Sequence, residues 1–297
     1  ESKQDKRAYR RLIVSPLWRD RIHIFFAPGR IDLVRIPKGL KALPQPKISI
    51  NFEANRDNPL WKIPVEQLTQ LLEKENSASS LKGAELSITL SNHFVRYAVV
   101  QFQQGIKDAH EFFAYAQFQM REIYGDRIDS WDISMSDWDP KLGGICAALA
   151  RDLVQQLQAL TLRFHMKLKQ IEPYLTAAFD QWSRAINYQR FWFIVVEPGR
   201  LCALLFSNGG WKSIRNQRLL NSVETELLVL LEQEAIIVTQ REPVELAFIY
   251  APEHTNLQLP LDKGWQFNLI PFDGILAPNH FPAPVGSTSE LPAHAST

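Results

Sequence analysis

Residues 24–36 read IFFAPGRIDLVRI, and residues 194–206 repeat that outline as IVVEPGRLCALLF. Each copy consists of three apolar residues, one variable residue, the turn Pro-Gly-Arg and a second apolar run. Proline sets φ at the first central position of a turn, and glycine accepts a positive φ at the next position. Each copy therefore predicts a β-hairpin, with its turn at Pro28-Gly29 in the first copy and at Pro198-Gly199 in the second.

Similar patterns of strands and helices follow both hairpins. In the first half we predict strands at 47–52, 85–90, 95–102, 131–135, 145–150 and 167–171, with helices at 65–74, 108–124, 152–164 and from Pro173 onward. In the second half we predict strands at 211–215, 244–250 and 265–270, with a helix that begins at Ser222. The repetition indicates a duplicated α/β protein.

The chain divides into four predicted segments. Residues 1–21 are rich in lysine and arginine and form a basic leader. Residues 22–187 form the first half, with inserted strands and a helix, and residues 188–276 form a second, shorter half. Residues 277–297 are rich in proline and serine, which is typical of a flexible tail.

Composition limits the classes of function. The 297 residues are 45% hydrophobic and 22% charged, which is typical of a globular protein. A formal net charge of +1 provides no strong field for nucleic acid, so we expect no nucleic-acid partner. Cys146 and Cys202 lie in apolar runs, which indicates a reducing cytoplasm rather than a disulfide framework. No stretch approaches the roughly 20 apolar residues that a membrane-spanning helix needs.

The sequence carries none of the common enzyme motifs. It has no P-loop, no G-x-G-x-x-G and no G-x-S-x-G segment, and no Cys/His spacing that suits zinc. Glu172, Asp180 and Glu197 are a conceivable carboxylate set for a metal, but a helix N-terminus explains Glu172 equally well. We therefore expect no catalytic residue and no metal. His93, between two predicted strands, is interpreted as a turn or hydrogen-bonding residue.

An acidic segment lies in the middle of the first half. Its five aspartates are spaced unlike those of a calcium-binding loop, which needs acids at positions 1, 3 and 5 and a glutamate at position 12. We interpret the segment as a solvated loop around the strand predicted at 131–135. The aspartates are Asp126, Asp129, Asp132, Asp137 and Asp139.

The order of elements in each half resembles the ribonuclease-H-like unit that is duplicated in actin-like ATPases. Within that superfamily the chain is similar to the PilM-type proteins of type IV pilus assembly and to the cytoplasmic domain of GspL-type secretion proteins. The hairpin at 24–36 stands where PilM-type proteins have a D-I-G turn, and the hairpin at 193–205 stands at their second D-I-G turn. Residues 171–174, IEPY, with Ala177 and Ala178, resemble their I-E-P entry into a central helix. The resemblance implies a duplicated ribonuclease-H-like (actin-like ATPase) α/β fold with mixed sheets.

The chain departs from the family at its phosphate hairpins. In active members an aspartate opens each hairpin turn, but here Ala27 and Glu197 take those positions. Pro28 and Pro198 have no N–H, so each turn loses a donor that would hold a phosphate oxygen. The residues that remain for nucleotide binding through degenerate phosphate hairpins are Gly29, Arg30, Glu197, Gly199 and Arg200.

The resemblance implies a non-enzymatic scaffold with no cofactor. Such a protein would lie in the bacterial cytoplasm, peripheral to the inner membrane, in a type IV pilus or type II secretion platform. Its partner would be a short cytoplasmic segment of a single-pass inner-membrane protein. Peptides of this kind add a strand to a sheet edge or place an apolar face in a groove. We expect this one near 85–124, where strands at 85–102 would provide an edge, with weak contact between the basic leader and anionic lipid.

Two alternatives stay open from the sequence. The first is an actin-like ATPase that still binds Mg-ATP through the altered hairpins, with an arginine in each turn to hold an anion. The second is a sugar-kinase-like or nuclease relative with a reassigned site. Low glycine content, 13 residues in 297, favours the scaffold, because several phosphate loops would need more.

Overall fold

The computed structural model describes most of the chain between the predicted leader and the predicted tail. The described residues are 19–39, 42–53, 59–101, 103–106, 108–136, 142–238, 242–254, 256–259 and 264–271. The predicted tail and most of the predicted leader lie outside these residues. Arg21, the last residue of the predicted leader, is the first residue of a strand.

The first half contains a five-stranded mixed sheet. Its strands are β1 (Arg21–Ala27), β2 (Arg30–Ile36), β3 (Ile48–Asn51), β4 (Glu85–Leu90) and β8 (Lys167–Pro173). Their order is β3-β2-β1-β4-β8. Strands β1, β2 and β3 are antiparallel, whereas β4 is parallel to both β1 and β8. The mixed pattern arises because a tight turn joins β1 to β2, whereas helical crossovers lead into β4 and β8.

The second half repeats this sheet. Its strands are β9 (Arg190–Glu197), β10 (Arg200–Ser207), β11 (Gly210–Arg218), β12 (Glu245–Tyr250) and β13 (Trp265–Leu269). Their order, β11-β10-β9-β12-β13, is the same as that of the first sheet. Strands β9, β10 and β11 are antiparallel and β12 is parallel to its two neighbours. The predicted duplication with mixed sheets is confirmed.

Equivalent backbone contacts close the two hairpins. The N–H of Phe52 donates to the carbonyl of Gly29 at 3.0 Å, and the N–H of Leu219 donates to the carbonyl of Gly199 at 3.0 Å. Gly199 has the positive φ expected of it, +73°, whereas Gly29 is not among the described glycines with positive φ. The repeat therefore extends from the sequence phrase to the hydrogen bond that follows each third strand.

A three-stranded sheet with its own helix is inserted in the first half. It consists of β5 (Val95–Val100), β6 (Trp131–Met135) and β7 (Gly144–Ala150), in the antiparallel order β5-β7-β6. Helix α2 (Ala109–Tyr124) packs Phe112, Ala116 and Met120 onto one face of this sheet. A 3-10 helix at Gly125–Ser130 leads from α2 into β6.

The other helices are α1 (Lys62–Ala78), α3 (Arg151–Arg163), α4 (Tyr174–Trp182) and α5 (Val223–Ile237). Asp108 and Ser222 cap α2 and α5 with their side chains, as helix N-terminal residues do. Pro173, predicted as the first residue of α4, is instead the last residue of β8 and precedes the helix with ψ 146°. Extended backbone at Pro173 lets β8 stay paired with β4 until the helix starts.

The edge predicted at 85–102 is confirmed for β5 and not for β4. Strand β4 lies inside the first sheet, because β1 pairs with one side of it and β8 with the other. Strand β5 is at the end of the inserted sheet, but β11 of the second half lies beside it, and the Asn216 side chain donates to the Val95 carbonyl at 3.1 Å. Phe102, placed in the same predicted strand, lies outside the described residues.

One hydrophobic core runs through both halves. It includes Leu90 of the first sheet, Phe179 of α4 and Phe193 of the second sheet. The Phe179 ring lies 5.4 Å from that of Phe193 and 4.7 Å from that of Trp211. Because apolar burial stabilises both halves at once, they are joined by packing as well as by the chain. No helix among the described residues is long and apolar enough to span a membrane.

Candidate functional site

The two Pro-Gly turns lie at the junction of the halves, and each contacts the opposite half. In the first hairpin, Arg30 Nη2 lies 2.6 Å from Glu253 Oε1, just after β12 of the second half. In the second hairpin, the carbonyl oxygen of Pro198 lies 3.0 Å from His93 Nε2 of the first half. The turns that the sequence identified as degenerate phosphate hairpins therefore face protein groups.

The first half reaches the second hairpin through the Asn92 turn, which consists of Ser91, Asn92 and His93 between β4 and β5. Asn92 is fully buried. Its N–H donates to Glu197 Oε2 at 3.0 Å. Its side-chain Oδ1 accepts from the Tyr97 hydroxyl at 2.6 Å and from the Leu175 N–H at 3.2 Å. A single side chain thus links the turn to β5 and to the first residues of α4.

Asn216 of β11 completes the contact from the second half. Its Nδ2 donates to the Asn92 carbonyl at 2.8 Å, and its Oδ1 accepts from Arg200 Nη1 at 3.1 Å. Burial lowers the pKa of Arg200, and the positive charge of Arg96 acts in the same direction. The second turn arginine is therefore directed into the protein, where it is hydrogen-bonded to a neutral amide.

Glu197, at the position where active relatives have an aspartate, is 2% exposed. Burial raises its pKa to about 7, and the charge of Glu253 acts in the same direction, against hydrogen bonds from Ser91 and Asn92. The buried Glu197 carboxyl, with its raised pKa, accepts hydrogen bonds from the opposite half. It is poorly suited to holding the hydrated cation of a nucleotide, because that needs a charged and accessible ligand.

Arg30, the arginine of the first turn, is held between acids. Besides its contact with Glu253, its Nε lies 3.3 Å from Asp32 Oδ2, and Lys47 Nζ approaches the same oxygen at 3.6 Å. Its guanidinium carbon lies 4.9 Å from the centre of the Phe25 ring. These pairs neutralise the charge of Arg30, which would have to hold a phosphate if the protein bound Mg-ATP.

His93 has the hydrogen-bonding role that its position predicted. Burial and, to a smaller extent, the nearby charge of Arg200 lower the pKa of His93 to about 4. The ring is therefore neutral near pH 7, and its Nε2–H donates to the Pro198 carbonyl. This places a ring directly over the second turn, with its Cε1 3.9 Å from where a Cβ on Gly199 would lie.

The conceivable carboxylate set is not assembled as a metal site. Burial raises the pKa of Glu172, which accepts from the Thr89 hydroxyl at 3.3 Å, and burial also raises the pKa of Asp180. Among the residues that the structure describes, no three His, Cys, Asp or Glu side chains are grouped to hold a metal ion. The donors present do not fit a resident metal.

Sequence reasoning located the turns but missed the groups that contact them. Asn92 is only weakly indicated by the sequence, because Ser91-Asn92-His93 is a polar interruption between two apolar strands. That pattern predicted a role for His93 alone. Asn216 and Glu253 had no signal. Glu253 contacts Arg30 only because the two halves pack together, whereas Asn216 contacts Arg200 from the neighbouring strand β11.

We expect Asn92→Ala to lower the free energy of unfolding by about 2–4 kcal/mol, because the Tyr97 hydroxyl and the Leu175 N–H would stay buried without their acceptor. Denaturant unfolding measures this change. Asn51→Ala, at the exposed end of β3, is the matched control and should change stability by less than about 0.5 kcal/mol. Equal effects of the two substitutions would contradict the role given to Asn92.

We expect a pH dependence of stability that Glu197→Gln removes. The folded-state pKa is about 7 and the ordinary value is 4.5, so the stabilisation is complete below pH 4.5 and is lost as the pH rises through 7. Wild type should lose roughly 3 kcal/mol relative to Glu197→Gln across that window. Unfolding free energies at several pH values test this, with Glu66→Gln on α1 controlling for loss of one exposed carboxylate. A difference that stays constant with pH would refute the assignment.

The comparisons with known proteins are structural. No protein-family model matches the chain, and no curated protein sequence matches it. The cytoplasmic domain of EpsL, an inner membrane component of the type II secretion system of Vibrio cholerae, matches with a TM-score of 0.55 at 7% identity, over 86% of this chain and 91% of that one. A chain of the PilM-PilN type IV pilus biogenesis complex matches with a TM-score of 0.54 at 12% identity, over 79% of this chain and 82% of that one.

A third match names the fold directly. A Bacteroides thetaiotaomicron protein described as having an actin-like ATPase fold and unknown function matches with a TM-score of 0.54 at 6% identity, over 79% of this chain and 82% of that one. At these identities the likeness concerns the fold and not the activity. The chain therefore has the actin-like ATPase fold, as its repeated sheet order indicates.

Proposed function

We propose that the protein is a non-enzymatic, actin-like scaffold that binds a short cytoplasmic segment of a membrane protein. Its place would be the cytoplasmic side of an inner-membrane platform for a type IV pilus or for type II secretion. The similarity to the EpsL domain and to the PilM-PilN complex supports this setting. The contacts that protein groups of the opposite half make with the two hairpins support the absence of catalysis, and the proposal rests on them.

The observation that carries the proposal is that protein groups of the opposite half contact both hairpins. His93 binds the Pro198 carbonyl, and the Asn92 N–H binds the buried Glu197 carboxyl. Arg30 is paired with Glu253. For ATP to enter, these contacts would have to break and leave buried polar groups unpaired, at a cost of about 1–3 kcal/mol each. A scaffold gains from the same contacts, because they fix the two halves relative to each other.

We expect the purified protein neither to bind Mg-ATP with useful affinity nor to hydrolyse it, since each turn lacks its aspartate and carries a proline. Isothermal titration calorimetry measures the binding, with an active actin-like ATPase as the positive control. A dissociation constant in the micromolar range or below, weakened by Arg30→Ala or Arg200→Ala, would overturn the proposal in favour of a retained ATP site.

We expect the protein to be recovered from membranes with a single-pass partner, and the recovery to be lost when the cytoplasmic segment of that partner is truncated. Co-purification from solubilised membranes measures this. The competing explanation is lipid docking through the basic leader. Recovery with membranes in the absence of any protein partner, abolished by neutralising Arg7, Arg10 and Arg11, would support lipid docking and refute peptide capture.

The matched control for lipid docking neutralises three lysines elsewhere. These side chains are exposed, so their loss changes the net charge equally without touching the leader. A leader-specific effect requires that this control leave membrane recovery unchanged. The three residues are Lys62, Lys74 and Lys82.

A further inference from the structure

The strand β6 forms the outer edge of the inserted sheet. It pairs with β7 on one side, and among the residues that the structure describes no strand pairs with its other side. The opposite end of the same sheet, β5, is covered by β11 of the second half. The inserted sheet therefore ends in β5, which lies beside the second half, and in β6. An uncovered edge strand presents a row of backbone donors and acceptors that another chain can pair with.

The register shows which backbone groups of β6 point outward. The Ser136 N–H donates to the Ile145 carbonyl at 2.9 Å, so the pairs that exchange hydrogen bonds recur every second residue, at Ser134 and Asp132. The N–H and C=O groups of Ile133 and Met135 then face away from β7. The Trp131 carbonyl also faces away from β7, and it accepts a hydrogen bond from Arg151 Nη2 at 3.2 Å.

The two faces of β6 differ in polarity. Trp131, Ile133 and Met135 lie on the α2 side, where they are partly buried at the rim of the small core. Asp132 and Ser134 lie on the other side and are exposed. A strand added to this edge would have alternate side chains beside each face, because side chains alternate across a strand. Its apolar residues would extend the α2-side core, and its polar residues would lie beside Asp132.

The charges near β6 favour positively charged residues among the polar residues of an added strand. In the described residues of β6, β7 and the segments next to them, 108–136 and 142–152, seven side chains are acidic and three are basic. Arg121 pairs with Asp126 and Asp129, and Arg151 pairs with Asp132, which is still 46% exposed in its side chain. Basic side chains on an incoming strand would meet a net negative surface.

The outer edge of β8 differs from that of β6 in its exposed residues. Strand β8 is the last strand of the first sheet, and its exposed residues are Lys167 and Lys169. Exposed lysines on an edge strand oppose pairing with another chain, above all with a basic one. Strand β6 carries no lysine and no proline.

We propose that β6 is the docking edge for the partner, and that the partner segment is an extended strand that alternates apolar with basic residues. The identity of the partner as a membrane protein rests on the proposed function, whereas the edge and the chemistry of its ligand rest on β6 itself. The two fit together because cytoplasmic segments next to membrane spans carry an excess of lysine and arginine.

The test uses the full chain and a synthetic peptide of nine residues that alternates valine with lysine, blocked at both ends. We expect the peptide to bind and to protect the amides of Ile133 and Met135 from hydrogen exchange. A twin peptide with glutamate in place of lysine should bind about tenfold more weakly or less, because its charge opposes that of the edge.

Two variants locate the site. Ile133→Pro removes an outward N–H without touching the ladder to β7, and it should weaken peptide binding about tenfold. Asp132→Arg should weaken binding several-fold, whereas Glu66→Arg on the exposed face of α1 makes the same charge change elsewhere and should leave it unchanged. Circular dichroism checks that each variant is folded. If Ile133→Pro does not fold, Asp132→Arg still tests the site.

The outcomes separate this inference from the proposed function. No binding of the lysine peptide, or protection centred on β8 or β13, would overturn the docking edge. Membrane partner recovery that Asp132→Arg and Ile133→Pro leave intact would sustain the scaffold and refute the edge. Peptide binding at β6 without any membrane partner would sustain the edge and refute the scaffold.

Discussion

The structure depends on the hydrogen bond from the buried Asn92 N–H to the buried carboxyl of Glu197. This bond joins the Asn92 turn of the first half to the second hairpin, and both groups are buried. The surrounding contacts depend on it. The Asn92 side chain orders β5 and the start of α4, and the Asn92 carbonyl receives Asn216 of β11. Buried polar groups at such a junction must be paired, because an unpaired one costs more than a hydrogen bond gains.

This junction links the two halves of the duplicated fold through paired polar groups. In an actin-like enzyme the cleft between the halves has to admit a ligand. Here the cleft is crossed by hydrogen bonds and by the aromatic packing of Phe179 on Phe193 and Trp211. Glu197 with a pKa of about 7 and neutral His93 are the result of taking titratable groups into a protein interior. The contacts that these groups make with the opposite half, from the Asn92 N–H to Glu197 and from His93 to the Pro198 carbonyl, link the two halves.

The insertion makes the halves unequal in length and in the surfaces that they present. One end of the inserted sheet lies against the second half through β5 and β11, so it belongs to the junction of the halves. The other end, β6, has backbone groups that face away from β7 and an exposed Asp132. The proposed scaffold would use both features, and they lie on opposite edges of one small sheet.

The sequence by itself determined the local elements and the duplication. The Pro-Gly turns predict hairpins because φ preferences act within a few residues, and Asp108 and Ser222 predict helix starts because capping is local. The resemblance to PilM-type and GspL-type proteins gave the fold that the repeated sheet order confirms. The sequence also located Glu197 and Arg30, since each stands at a fixed offset from its turn.

Only the tertiary structure decided what those residues contact. Asn92 and Glu197 are 105 residues apart, and Arg30 and Glu253 are 223 apart, so no local pattern could pair them. The sequence did not show which end of the inserted sheet stays open for the same reason, since neither β5 nor β6 carries a local signal for what lies beyond it. Which one stays open depends on β11, which packs against β5 from the other half of the chain. Long-range packing chooses between edges that local propensity cannot distinguish.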